Sequence, residues 1–98
     1  MEELAAAKDA AKTINTLSVT SPGSPTIVET LRRAYDQARR AMTPTLSSGD
    51  AVNVARSEAV LALNDVIGSL QAQSLTPEQI DRAKAAVDAW IKFLKEQS

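Results

Sequence analysis

Arg32, Arg33, Arg39 and Arg40 crowd one short stretch of the chain. Guanidinium groups at that density are what a phosphate site or a nucleic-acid contact uses. Glu29 and Asp36 are interleaved with them, and the whole chain carries 11 basic against 12 acidic residues, a net charge of −1. Affinity for a phosphate chain grows with the number of phosphates neutralised. The expectation is therefore a solvated face and no nucleic-acid partner. Acid–base chemistry would need a carboxylate buried enough to be perturbed. Asp36, Asp65, Asp81 and Asp88 all fall on polar sides or flanks of their segments. Lys84 and Arg56 border apolar arcs, where a desolvated lysine could act as an amine nucleophile. Long stems lying along the surface with their charges in water are the plainer expectation.

Much other chemistry is excluded by type. The chain has no cysteine and no histidine. That removes thiolate and imidazole groups, the Ser-His-Asp arrangement and the usual zinc sites. No enzymatic activity, metal or cofactor is expected. The aromatic residues are Tyr35, Trp90 and Phe93. Set among many alanines, they could line a pocket for an apolar small molecule. A core in which large rings fill the space left by alanines is the competing expectation. Tyr35 and Trp90 would also need partners for their polar atoms, and Asn15, Asn53, Ser57 and Asn64 are the candidates by helical angle.

These residues must be positioned by helices. With 98 residues, the chain has the length of one small domain. Residues 18–24, 43–49 and 74–76 are rich in Ser, Thr, Pro and Gly, and the segments between them show helical periodicity. The first helix, about 2–17, carries Leu4, Ala7, Ala11, Ile14 and Leu17 on one stripe, with Glu2 and Glu3 at the positive end of its dipole. The second, about 25–42, starts on Ser24-Pro25 or on a Thr26/Glu29 capping box, and Pro44 stops it. The third, about 50–71, is capped by Ser47 or Ser48, with Asp50 in its first turn. The fourth, about 77–97, opens with Thr76-Pro77-Glu78-Gln79, which joins an N-cap, a proline at the first position and a capping-box glutamine. Short connections favour antiparallel neighbours. The predicted fold is all-α: a single four-helix, up-down-up-down bundle over 1–98, with loops long enough to allow irregular packing.

On the third helix, Val54, Leu61 and Gly68 recur every seven residues, nearly opposite the main apolar arc. An apolar line behind the core stripe points to a second contact: self-association, a partner helix, or cover by a loop residue such as Val19 or Leu46. We expect Leu61 to be buried in one of these ways.

The start MEELAAAKDAAK, the tidy Thr76–Gln79 cap and the lack of His and Cys make the chain resemble computationally designed helical bundles. That resemblance implies a scaffold that need have no biological role. Loops such as SVTSPGSPT and mid-helix Asn53, Asn64 and Gly68 depart from it. The run IVETLRRAYDQA, with Ile27, Leu31, Ala34, Asp36 and Ala38, resembles the amphipathic helix with which pro-apoptotic proteins fill the groove of their antagonists. Tyr35 and Ala38 depart from that pattern, which any amphipathic helix with one acid would also match. No apolar run reaches the roughly 20 residues that span a bilayer, and Met1-Glu2-Glu3-Leu4 is acidic where a signal peptide is basic. A soluble protein, in cytoplasm or recombinant expression, without a membrane partner is expected. The functional expectation is a scaffold or helix-face protein-interaction module, with apolar ligand binding near Trp90 and Tyr35 as the alternative.

Overall fold

A computed structural model describes residues 2–17, 25–42 and 51–97. Among them the chain forms four helices and no strand: α1 (Glu2–Thr16), α2 (Pro25–Ala41), α3 (Ala51–Ala72) and α4 (Pro77–Gln97). Each boundary falls within a residue of the one read from the sequence. The expected caps at Ser24, Ser47, Ser48 and Asp50, the stop at Pro44, and any cover from Val19 or Leu46 lie outside the described residues. Helix α2 begins at Pro25, so Thr26 is already helical and does not cap through Glu29. Instead its carbonyl accepts the Thr30 hydroxyl at 2.9 Å.

The α3–α4 corner shows how local chemistry sets the turn. Gln73 adopts φ 56°, a left-handed conformation that usually belongs to glycine. The Ser74 amide then donates to the Ser69 carbonyl at 2.9 Å, and the Gln73 amide to the Leu70 carbonyl at 3.3 Å. This is the Schellman arrangement, and it satisfies carbonyls that the helix end would leave bare. Three residues later, α4 starts on a reciprocal capping box. The Gln79 amide donates to Thr76 Oγ1 at 3.2 Å, and the Thr76 amide donates to Gln79 Oε1 at 2.9 Å. The Gln79 side chain also donates through Nε2 to Ser69 Oγ at 2.7 Å, tying the cap to α3.

Helix neighbours form a closed ring: α1–α2, α2–α3, α3–α4 and α4–α1. Hence α1 and α3 lie on one diagonal and α2 and α4 on the other. The result is a four-helix bundle measuring 40 × 22 × 19 Å. Its core is rich in small side chains: of the 20 buried apolar residues among the described ones, ten are alanine. Alanines let helices approach closely, and the remaining volume is filled by a few large side chains. Trp90, Ile14, Leu31, Leu63 and Leu94 are the largest of these, all essentially without exposure. None of the helices is long and apolar enough, among the described residues, to cross a membrane.

Candidate functional site

The most demanding polar chemistry lies at the end of the bundle where α1 and α3 begin and α4 finishes. Glu3, in the first turn of α1, is only 8% exposed. Arg56 on α3 reaches across the diagonal and grips it with two bonds, Nε to Oε2 at 2.6 Å and Nη2 to Oε1 at 2.9 Å. Such fork-on-fork geometry is specific to arginine. The indole Nε1–H of Trp90, on α4, donates to Glu3 Oε2 at 2.7 Å. One carboxylate thus joins three helices. Both its oxygens are engaged, and the arrangement ties the three helices to one another.

Several sequence expectations are corrected here. Trp90 takes its acceptor from Glu3, not from Asn15, Asn53, Ser57 or Asn64. A carboxylate does lie on an apolar stripe: Glu3 shares the buried face of α1 with Ala6, Ala7, Ala10 and Ile14. The buried stripe runs through Glu3 and Ala10, and Leu4 and Ala11, expected on it, are half-buried. Arg56, expected to trail its stem along the surface, has a side chain just 14% exposed. Asn53 Oδ1 is buried without a hydrogen-bond partner among the described residues.

The three aromatic residues have separate surroundings. Trp90 has no exposure. Tyr35 sits on the diagonal helix α2, where its hydroxyl accepts from Arg39 Nη1 at 3.3 Å and its ring stacks under the same guanidinium, 5.7 Å from the centroid. Phe93 is half-buried on α4, with Lys92 Nζ 5.8 Å from its ring centre.

The arginine face of α2 is solvent-exposed, as Arg32, Arg33, Arg39 and Arg40 all show. With Glu29, Asp36 and Gln37 the first two and Arg40 border a shallow groove of about 310 Å³. The other face of this helix is spent internally: Leu31, Ala34 and Ala38 are buried in the chain's own core. Lys84 is half-buried on α4, and no metal-holding cluster of acids occurs among the described residues.

Burial of Leu61 within the chain itself is also corrected. It is 67% exposed and Val54 is 52% exposed, the two large apolar side chains so placed among the described residues. The reason is geometric. A four-helix ring covers one side of each helix, and the crest of α3 points outward from that ring. Gly68 continues the crest, and a Cβ built there would meet nothing within 4 Å. Beside the crest, between α3 and α4, runs a groove of about 510 Å³. Leu61, Ala62, Ala85 and Ala86 give it an apolar lining, and Glu58, Asp65 and Arg82 give it charge. Arg82 holds Asp65 loosely, at 3.4 Å, with both side chains well exposed. No protein family, curated protein or solved structure matches this chain.

Proposed function

We propose that the chain is a protein-interaction module that works through the outer face of α3. One observation carries this reading. Nearly every large apolar side chain among the described residues is spent in the core, yet Val54 and Leu61 stand out in water on one line. A single exposed apolar residue is ordinary. Two in register, beside a groove with an apolar lining and charged flanks, match the layout of a helix-binding face, where apolar anchors sit at the centre and polar groups at the rim.

The test is selection of helical peptides that bind the intact chain, followed by mapping of amide shifts. Binders should shift Val54, Leu61, Gly68 and Ala85. Leu61→Asp should abolish their binding while the helical circular-dichroism spectrum is kept. Selected peptides that all map elsewhere, or that bind Leu61→Asp as well as the parent, would overturn the proposal.

A further inference from the structure

We infer that the occupant of this face is a second copy of the chain, docked with its α3 antiparallel to the first and a twofold axis passing at Leu61. The inference rests on the interaction-module reading and names its partner. It starts from spacing. Val54 lies seven residues before Leu61 and Gly68 seven after it. In an antiparallel pair centred on Leu61, Val54 of each copy therefore lands on Gly68 of the other. A bulky knob meets open space, since nothing stands within 4 Å of a Cβ at Gly68. A parallel pair would set Val54 on Val54 and Gly68 on Gly68, leaving a void at one end and crowding at the other. Size matching of this kind is what lets two helices close up.

Arg82 offsets the acidic charge that this pairing gathers on one flank. On the α4 side of the crest lie Glu58 and Asp65, with Arg82 beside them in the groove. Antiparallel docking brings Glu58 of one copy next to Asp65 of the other, and so next to the other copy's Arg82. Glu58 makes no ion pair among the described residues, and Arg82 is 72% exposed with a long contact to Asp65. Arg82 can therefore bridge its own Asp65 and the Glu58 of the second copy. Such an isologous contact closes on itself and stops at a dimer.

The contact is small. A helix of 22 residues is about 33 Å long and about 10–12 Å wide, so one helix face plus the groove edge falls below the roughly 1,200 Å² that stable interfaces bury in total. The dimer should be weak and reversible, as small transient contacts are.

Sedimentation equilibrium up to about 1 mM and cysteine pairing test it together, because the parent chain has no cysteine to interfere. Sedimentation should show a monomer–dimer equilibrium, weakened at least 10-fold in Leu61→Asp. Under mild oxidation Leu61→Cys should form a disulfide with itself. Val54→Cys and Gly68→Cys should each pair poorly alone and well when mixed. A parent that stays monomeric at about 1 mM overturns the second-copy inference. Self-pairing of Val54→Cys and Gly68→Cys overturns the antiparallel register. If the parent is monomeric while selected helices still bind the crest, the second copy fails and the module reading stands. If neither binds, both fail.

Discussion

Replacing Glu3 by alanine should be among the most costly single truncations of a charged residue in this chain. The change removes an acceptor from the indole of Trp90, which is fully buried. Leaving a buried donor unpaired costs about 1–3 kcal/mol. It also removes the two-point partner of Arg56, whose side chain is 14% exposed. Breaking a fully buried ion pair costs about 3–5 kcal/mol. Partial access of water to Arg56 puts this pair at the lower end, and the two losses share one carboxylate, so they do not add. About 3 kcal/mol is the expected total. For a domain of this size that is a large share of a stability of about 5–15 kcal/mol, and it lowers the melting temperature by about 12–24 °C. Urea unfolding followed by circular dichroism and by the fluorescence of Trp90 measures it. Glu2→Ala is the control, because Glu2 shares the first turn of α1 but is exposed. It should lose only the dipole contribution, at most about 1 kcal/mol. A loss below about 1 kcal/mol for Glu3→Ala, equal to that of Glu2→Ala, would refute the claim that this carboxylate clamps three helices.

Three further outcomes follow from the same geometry. Gln73→Gly should stabilise the fold by about 1 kcal/mol, since a side chain in left-handed conformation carries a steric cost that glycine escapes; an unchanged or lower urea midpoint would count against that. Thr76→Ala should cost about 1 kcal/mol by removing half of the capping box at the start of α4, read from the same titration. Asp65→Asn should change monomer stability by less than about 0.5 kcal/mol, because its contact with Arg82 is long and exposed, and a larger loss in dilute thermal melts would contradict this.

The four helices were legible because each end carries its own local signal: Pro25 at a first position, the Thr76–Gln79 box, the Ser/Thr/Gly-rich breaks. The inward faces of α3 and α4 were legible from spacing. What the sequence concealed was the meeting of Glu3, Arg56 and Trp90. Glu3 and Arg56 are 53 residues apart, and Glu3 and Trp90 are 87 apart. An acid in a first turn is fully explained by the helix dipole, so nothing local asked for a further partner. A signal did exist: Glu3 keeps step with Ala7, Ala10 and Ile14, Arg56 falls inside the arc of Val52, Ala55, Ala59 and Leu63, and Trp90 needed an acceptor. Three polar demands on apolar faces satisfy one another, but only the spatial order of the helices says which meets which. Leu61 failed for the converse reason. Its helix is apolar on two sides, and the number of helices around it, not its own pattern, decides that the chain's own bundle leaves the second side uncovered.

The tryptophan bond also bears on the order in which the structure forms. Three of the four helix contacts join neighbours along the chain, while the fourth, α1 on α4, brings together residues as far apart as Glu3 and Trp90, a separation of 87. Closing a free loop of that length costs about 2 kcal/mol more than closing one of ten residues. That cost falls once the neighbouring contacts have already shortened the path, so the α1–α4 seam forms most readily last. Trp90 sits on this seam. In a rapid-mixing experiment its fluorescence therefore times the closure of the ring, while circular dichroism times the growth of the helices, and a lag between the two would make the seam visible as a kinetic step of its own.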